Sequence, residues 1–333
     1  MIRGKERILL LNKITNPILF QGSNTVDEYF EGWYYKQVSQ DEKTVVCFIP
    51  GISLVVNDSH SFVQYIYVGS DENDVKFVKT GYCKYPVEYF SYNDHPFMIR
   101  VANNIFTETE ISVQLTDHNI NIEGTFKLDP FTSIHKSIFM PNIMGFFAYI
   151  PNMECYHGVI SMNHKVHGNL KIDNLDIDFN NSKGYIEKDW GTSFPKKYIW
   201  VQSNHFKNTN TSIVCSAADI PFMKRNFFGF ICNLVIDKKE YRFASYNRSK
   251  LQLECVTKQM VALSLKNSKV TLRLEAKMDN IGELISPKKG KMQETIKEGP
   301  SGELKISLLN NKDGILYEDI SYIASIEIFG FDV

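Results

Sequence analysis

Three short segments of the chain place carboxylates beside large aromatic side chains. They are residues 30–36, 153–158 and 184–191, and they hold two of the three tryptophans. A carboxyl group in an apolar, aromatic setting can keep its proton near neutral pH, because desolvation disfavours its charged form. Aromatic faces also stabilise a nearby cation. Such segments would suit the protonation of an olefin followed by trapping of the carbocation.

A further segment, residues 198–205, has two chemically different faces if it is a strand. One face mixes large rings with side-chain amides: Tyr198, Trp200, Gln202 and Asn204. This mixture is typical of a pocket wall, where rings supply apolar area and a few polar groups orient a ligand. The alternative is that the rings belong to the core and the amides bond to backbone at a strand end.

The nearest approach to a metal-ligand cluster is Cys155, His157, His164 and His167. Cys155 and His157 would share a face of a strand, but zinc sites need convergent ligands and a second such pair is missing. The GxGxxG, GxxxxGK[ST], GxSxG and HExxH motifs do not occur in the sequence. We therefore expect neither a metal site nor a cofactor.

The elements that position these residues are predicted to be strands. Residues 119–128 and 269–277 alternate apolar and polar side chains, which is typical of antiparallel strands with one solvated face. The best helical candidate is a short segment near residues 5–13. The sequence therefore predicts an all-β protein with sheets closed into barrels or packed as sandwiches.

The length of 333 residues suggests two domains, although one large β domain is also allowed. A Tyr-x-Glu pattern followed by Trp begins at Tyr29 and again at Tyr185, as if two runs of strands opened in the same way. The alternative is a chance similarity. With a boundary placed near 165–182, we assign residues 1–170 and 171–333 to two β units.

Composition limits the partners and the compartment. The 37 Lys and Arg residues balance 38 Asp and Glu residues, for a net charge of -1, which argues against nucleic acid as a partner. The six cysteines are scattered and are best interpreted as reduced thiols. Apolar runs are far shorter than the roughly 18 residues of a membrane span, and no export signal is recognisable, so we expect a cytoplasmic protein.

The segment 280–300 is interpreted as an exposed loop, because it is rich in Gly, Pro and Lys. Its lysines are most simply a solvated surface. A peripheral contact with a membrane surface is the sharper alternative.

Five aromatic-rich motifs follow one another between residues 20 and 206. They are Phe20-Gln21-Gly22, Phe30-Glu31-Gly32-Trp33-Tyr34-Tyr35-Lys36, Met153-Glu154-Cys155-Tyr156-His157-Gly158, Tyr185-Ile186-Glu187-Lys188-Asp189-Trp190-Gly191 and Phe194-Pro195-Lys196-Lys197-Tyr198-Ile199-Trp200-Val201-Gln202-Ser203-Asn204. The motifs and their order resemble those of the tocopherol cyclase family. The last two motifs are the most specific part of this resemblance.

This resemblance implies two lipocalin-like antiparallel β-barrel units, packed together around an aromatic-lined cavity, and no cofactor. Plant members of the family close a chromanol ring on a prenylated hydroquinone. Related tandem barrels include carotenoid hydratases and natural-product pericyclases, so the fold does not fix the reaction. The sequence departs from the plant pattern at Asp189, where plant members carry Asn, and at Tyr35 and Tyr198, which replace other aromatics.

The leading hypothesis is a cyclase of the isomerase or lyase type acting on a prenylated quinol or similar lipophile. A carboxylic acid would protonate the olefin and a phenol oxygen would capture the cation. The candidate acids are Glu187 first, then Asp189 or Glu31. The alternative for Glu187 is a structural carboxylate paired with Lys188 or Lys197.

The other candidate site residues would line the cavity, stabilise the cation or orient a hydroxyl group. They are Trp33, Tyr35, Glu154, His157, Trp190, Tyr198, Trp200, Gln202 and Asn204. Two hypotheses remain beside the cyclase: a non-catalytic lipocalin-like carrier of a lipophilic small molecule, and a structural protein without a pocket.

Overall fold

The structure is a computed structural model that describes residues 11–22, 27–222, 225–312 and 314–331. Most of these residues lie in antiparallel strands, so the predicted all-β class is confirmed. Helical structure in these ranges consists of one turn at residues 11–15 and the 3-10 helices Val87–Tyr89, Gly145–Tyr149 and Ser245–Asn247. Most of the helix predicted near residues 5–13 lies outside the described residues. No helix within the described ranges is long and apolar enough to cross a membrane.

The first sheet has 12 strands. They are β1 (Tyr29–Val38), β2 (Val45–Leu54), β3 (His60–Ser70), β4 (Lys76–Pro86), β5 (Phe90–Asp94), β6 (Phe97–Val101), β7 (Asn104–Thr107), β8 (Glu110–Thr116), β9 (Asn121–Leu128), β10 (Cys155–Ile172), β11 (Leu175–Asp178) and β12 (Ser182–Gly191). Neighbours follow the order β4-β3-β2-β1-β12-β10-β9-β8-β7-β6-β5, with β11 paired to β10. The sheet thus joins strands from distant parts of the sequence where β1 meets β12.

The second sheet has 10 strands. They are β13 (Tyr198–Ser203), β14 (Thr211–Phe222), β15 (Arg225–Ile236), β16 (Lys239–Ala244), β17 (Lys250–Val256), β18 (Met260–Lys266), β19 (Val270–Lys277), β20 (Gly282–Lys288), β21 (Lys291–Asn310) and β22 (Gly314–Phe329). Their order is β16-β15-β14-β13-β22-β21-β19-β18-β17, with β20 paired to β21.

The described chain divides into two compact units. The first contains the residues up to Gly69, Lys79–Phe194 and Ile285–Glu294, and the second contains Ser70–Val78, Pro195–Leu284 and the residues from Thr295 onward. Residue 170, where the sequence suggested a boundary, lies inside β10. Because β10 pairs with β12, the chain stays in the first unit until Phe194.

The strands β1 and β12 are buried along almost their whole length. In β9 and β19, by contrast, burial alternates along the strand, as their sequences predicted. Burial of β1 and β12 on both faces takes the charged side chains of Glu31, Glu187 and Lys188 out of water. Buried charges are stable only when they are paired and hydrogen-bonded, so each of these side chains needs a partner.

The segment 280–300 forms a β-hairpin, and the prediction of a loop was wrong. β20 pairs with β21 around a turn at Lys289 and Gly290, where Gly290 has a φ of +74° that favours glycine. The amide of Gly290 donates to the carbonyl of Thr192 at 2.6 Å, and its carbonyl accepts from Oγ of Ser53 at 2.8 Å. Strand pairing and these bonds satisfy backbone groups that a loop would leave to water.

Candidate functional site

Strands β1, β12 and β10 lie side by side, and alternation divides their side chains between two faces. Glu31, Trp33 and Tyr35 of β1 share what we call the inner face. The ring of Tyr35 lies 5.2 Å from that of Phe106 on β7, a strand that is not its neighbour in the sheet. The sheet therefore curls around the inner face of the first unit.

On the opposite face, four side chains of β10 and β12 form what we call the acid–histidine cluster: His157, Tyr185, Glu187 and Asp189. Lys36 of β1 pairs in register with Tyr185 and lies on the same face. His157 of β10 lies directly opposite Asp189 of β12, and its Nδ1 is 2.9 Å from Oδ1 of that carboxylate. Its Nε2 is 3.5 Å from Oε2 of Glu187, which accepts a hydrogen bond of 2.5 Å from Oη of Tyr185. One imidazole is thus held between two carboxylates.

The charges of the cluster depend on burial and on this pairing. The side chains of His157 and Glu187 are 13% and 6% exposed. Burial works to lower the pKa of His157, but the carboxylates of Glu187 and Asp189 outweigh it and raise this pKa to about 9. Burial and the charge of Glu187 raise the pKa of Tyr185. His157 is therefore an imidazolium at neutral pH, and Tyr185 is a neutral hydrogen-bond donor.

We expect the pairing of His157 to stabilise the fold in a pH-dependent way. Its folded pKa of about 9 lies above the ordinary 6.5, so the contribution is complete below 6.5 and disappears as the pH rises through 9. A pKa difference of this size corresponds to ~3 kcal/mol. Melting of wild type and His157→Gln should differ most at about pH 6 and least at about pH 10. A difference that is equal at both pH values would contradict the pairing.

This arrangement can store a proton and pass it on. The carboxylate of Asp189 accepts from Nδ1 of His157 and so turns Nε2 toward Glu187. A shortening of the 3.5 Å separation between Nε2 and Oε2 would bring the two groups to the distance at which protons transfer. The cluster can therefore supply a proton at Glu187 and later recover one.

The same three side chains bring ligand atoms within 4.8 Å of one another, a spacing that could hold a metal ion. However, His157 directs a different ring nitrogen to each carboxylate, whereas an imidazole binds a metal ion through one nitrogen. The geometry suits a shared proton better than a shared ion. His164 pairs in register with Gly184 and lies on the inner face, so the four ligands considered in the sequence do not converge.

Glu31 is held by several donors on the inner face. It accepts hydrogen bonds from the amides of Gln21 (2.9 Å) and Gly22 (3.1 Å) and from the hydroxyl of Tyr29. Nζ of Lys188 lies 2.6 Å from its Oε1, and both side chains are 0% exposed. Four donors surround the carboxylate of Glu31, so its hydrogen bonds are used within the protein and its role in the first unit is structural.

The two tryptophans of the first unit enclose a cation that belongs to the protein. Nζ of Lys188 lies 4.8 Å from the ring of Trp33 and 4.7 Å from the ring of Trp190. Nε1 of Trp33 donates to the carbonyl of Ile18 at 2.7 Å, and Trp190 stacks on Tyr156. The structure thus places Trp33 and Trp190 around Lys188 on the inner face, whereas Glu187 lies on the opposite face.

Glu154 stands just before β10 and is half-buried. Its backbone carbonyl accepts hydrogen bonds from the amides of Thr192 (2.8 Å) and Ser193 (3.2 Å). These bonds join the beginning of β10 to the segment that follows β12.

The aromatic–amide face predicted for residues 198–205 lies in the second unit. Tyr198, Trp200, Gln202 and Asn204 are all buried there, while Ile199 and Val201 join the hydrophobic core. Oη of Tyr198 donates to Oε2 of Glu327 at 2.6 Å. The side-chain amide of Gln202 has no hydrogen-bond partner within the described chain.

Sequence reasoning missed two buried carboxylates on the same unit. Glu327 of β22 pairs in register with Trp200 and also with Glu298 of β21. Both carboxylates are buried, and neighbouring carboxylates favour protonation of one of them. Neither follows the acid-before-tryptophan spacing that singled out the other candidates, so only strand pairing reveals them.

A second group of polar side chains that the sequence left unnoticed lies on the inner face. Gln37, His164 and Ser182 are buried there, and each has side-chain atoms without a hydrogen-bond partner among the described residues, as does Oη of Tyr35. Burial lowers the pKa of His164 to about 3, so this imidazole is neutral. Glu31, Tyr35 and Gln37 share one face of β1 because side chains alternate along a strand. This alternation was the one signal in the sequence that could have indicated the group.

The fold defines a lipocalin-like protein built from two β sheets. A family model described as tocopherol cyclase-like matches residues 103–330. The chain therefore belongs to the tocopherol cyclase-like family.

Two of the curated relatives are plant proteins. The "Probable tocopherol cyclase, chloroplastic" of Oryza sativa subsp. japonica is 22% identical over 236 residues, which cover 58% of this chain and 50% of the rice protein. The "Tocopherol cyclase, chloroplastic" of Zea mays is 30% identical over 74 residues, 22% of this chain and 16% of the maize protein. The chain thus spans at most half the length of the curated relatives it matches.

Two crystal structures share the fold. The structure of CghA with Sch210972 has a TM-score of 0.56 and 6% identity, and the match covers 90% of this chain and 88% of that chain. Kievitone hydratase from Nectria haematococca has a TM-score of 0.53 and 12% identity, with 95% of both chains covered. At these identities the likeness shows the fold alone.

Proposed function

We propose that this protein catalyses the intramolecular cyclisation of a prenylated quinol or similar phenolic lipophile. Membership of the tocopherol cyclase-like family supports the reaction class. The observation that carries the proposal is the chain of contacts that runs from Asp189 through His157 and Glu187 to Tyr185. It provides an acid and a base in one site, which is what this reaction requires.

In the proposed reaction, the imidazolium of His157 first passes its Nε2 proton to the carboxylate of Glu187. The resulting carboxyl group gives this proton to one carbon of the prenyl double bond. The two π electrons form the new C–H bond, and the other carbon becomes a cation. The phenol oxygen attacks this cation, forms the C–O bond of the ring and loses its proton. The imidazole of His157, neutral since it gave up its proton, takes up the phenol proton and is an imidazolium again, so the site returns to its starting state. The product is an isomer of the substrate, so neither an oxidant nor a cofactor is consumed.

Each member of the cluster has a separate role in this scheme. Glu187 is the catalytic acid, and His157 restores its proton through Nε2. Asp189 is a positioning residue, because it holds Nδ1 of the ring and keeps His157 charged. Tyr185 donates to Oε2 of Glu187 and so keeps the carboxyl group oriented.

The reaction can be tested in deuterated water. The purified protein is incubated with a prenylated hydroquinone, and products are analysed by mass spectrometry. We expect a cyclic product that carries one deuterium on carbon, because the proton added to the olefin comes from an exchangeable carboxyl group. A ring product without carbon-bound deuterium, or no product above the protein-free rate, would contradict the proposal.

The second candidate function is a carrier for a lipophilic small molecule. It is favoured by the buried polar atoms of Tyr35, Gln37, His164 and Ser182 that have no partner within the described chain. Such atoms cost free energy unless they are hydrogen-bonded, and a bound hydroxylated lipophile would satisfy them. Mass spectrometry of co-purifying molecules distinguishes the two functions: a carrier returns its ligand unchanged, whereas the cyclase converts an added prenyl-quinol.

We also propose a cytoplasmic location and no nucleic-acid partner. The six cysteines all lie within the described residues and form no disulfide there, which suits a reducing compartment. The near-zero net charge offers no excess of cations for phosphate groups.

A further inference from the structure

One surface feature of the first unit stands apart from the proposed site. Ile138 and Phe139 are 83% and 82% exposed, and they follow one another in the segment between β9 and β10. Water-exposed apolar side chains are common singly, but two adjacent large ones with so little cover indicate an interaction surface.

The two side chains project from the tip of a closed turn. The amide of Ser137 donates to the carbonyl of Met140 at 2.9 Å, and the amide of Met140 donates back at 3.0 Å. Oη of Tyr149 donates to the carbonyl of Ile138 at 2.7 Å. The turn is therefore held in place, and its exposed side chains are presented to the surroundings by an ordered backbone.

Further aromatic side chains accompany this turn. Phe146 and Tyr149 belong to the 3-10 helix Gly145–Tyr149 and are 48% and 40% exposed. The ring of Phe146 stacks on Phe147 with centroids 4.4 Å apart. We call Ile138, Phe139, Phe146 and Tyr149 the apolar tip. Aromatic residues with a polar end, such as Tyr149, are favoured at the boundary between lipid and water.

The segment that carries the apolar tip also differs from the rest of the chain in its charged residues. Residues 130–153 contain no Asp or Glu, although the whole chain has 38 acidic residues. The titratable groups of this segment besides Tyr149 are His135 and Lys136, and Nζ of Lys136 donates to the carbonyl of Thr15 at 2.7 Å. A segment without carboxylates does not itself repel anionic headgroups.

We propose that the apolar tip docks the protein on the surface of a phospholipid bilayer. Ile138 and Phe139 would insert into the boundary between headgroups and acyl chains, where burial of apolar side chains provides the binding energy. A projecting tip of adjacent side chains suits insertion into a deformable lipid surface better than it suits a flat protein interface. This docking is independent of the cyclisation proposed above and requires no catalytic turnover.

The lysines of the β20–β21 hairpin offer the competing location for membrane contact. Lys288 forms an ion pair with Glu294, and Nζ of Lys291 lies 4.0 Å from Oδ2 of Asp58. Because acidic side chains accompany them, these lysines present less net positive charge than their number suggests.

The test is flotation of the full chain with vesicles of phosphatidylcholine containing a minority of phosphatidylglycerol. We expect wild type to float and the double variant Ile138→Ser/Phe139→Ser to lose roughly tenfold or more in vesicle partitioning, because two large apolar side chains no longer enter the lipid. The matched control is Ile315→Ser/Leu316→Ser, an adjacent pair on β22 that is 62% and 50% exposed and should leave flotation unchanged. A third variant, Lys288→Gln/Lys289→Gln, tests the hairpin.

A second measurement detects vesicle binding as a change in fluorescence, so its result does not depend on whether the serine variants fold. Phe139→Trp should show a blue-shifted emission on addition of vesicles and quenching by brominated phosphatidylcholine, while the three native tryptophans are buried. The proposal is overturned if wild type does not float, if the tip variant floats as well as wild type, or if the lysine variant alone loses binding. It is also overturned if neither protein binds vesicles, wild type is a dimer and the tip variant is a monomer.

Discussion

Replacing Glu187 with Gln is expected to slow ring closure by about 10²–10⁴-fold, the usual contribution of general acid catalysis. Gln keeps the shape of the side chain but has no proton that it can give to an olefin. Oε1 of Gln can still accept the hydrogen bond that Tyr185 donates to Glu187. The initial rate of cyclisation of a prenylated hydroquinone measures the effect, and ligand affinity should change little.

A matched control separates catalysis from a general loss of negative charge. Asp178→Asn removes an exposed carboxylate from β11 of the same unit and should leave the rate unchanged. Melting temperatures of both variants show whether the fold persists. Full activity of a folded Glu187→Gln protein would eliminate Glu187 as the acid, and Glu327 of the second unit would then be the next carboxylate to replace.

The second large effect concerns stability. Replacing Glu31 with Gln should lower the free energy of unfolding by about 3–5 kcal/mol, because the charge of Lys188 would remain buried without its partner. Both side chains are fully buried, and Nζ of Lys188 lies 2.6 Å from Oε1 of Glu31. The carboxylate also accepts hydrogen bonds from the backbone amides of Gln21 and Gly22. A loss of this size is a large part of the total stability of an ordinary protein. Denaturant unfolding measures it.

The double variant Glu31→Leu/Lys188→Met tests whether the loss comes from an unpaired charge. Replacement of both members of a buried ion pair by apolar side chains is often far less costly than removal of one. The double variant should therefore be more stable than Glu31→Gln. If Glu31→Gln unfolds at the same denaturant concentration as wild type, the ion pair does not support the fold.

These two predictions separate carboxylates that the sequence could not tell apart. Glu31 and Glu187 both precede a tryptophan by two or three residues, so spacing alone made both candidate acids. The partner of each comes from another part of the chain: Lys188 for Glu31, and His157 for Glu187. Because the partners of a buried carboxyl group determine its chemistry, only the pairing of β1, β12 and β10 distinguishes the two side chains.

The sequence by itself determined the all-β class, because alternation of apolar and polar side chains is a local property that each strand carries alone. It also identified His157, Glu187 and Asp189 as site candidates, because their residue types and aromatic surroundings are visible without any contact. The hairpin at 280–300 was missed, since Gly, Pro and Lys there suggested a loop while the bonds that hold the turn come from Ser53 and Thr192.

Tertiary structure alone decided which face each side chain occupies and what lies opposite it. Two residues that are neighbours in sequence, such as Glu187 and Lys188, point to opposite faces of β12 and have entirely different partners. Strand register places His157 beside Asp189, which lies 32 positions away in the sequence. It also places Glu298 opposite Glu327. Such pairings depend on which distant strands meet, and the local hydrophobic pattern can set the offset only after the two strands have come together.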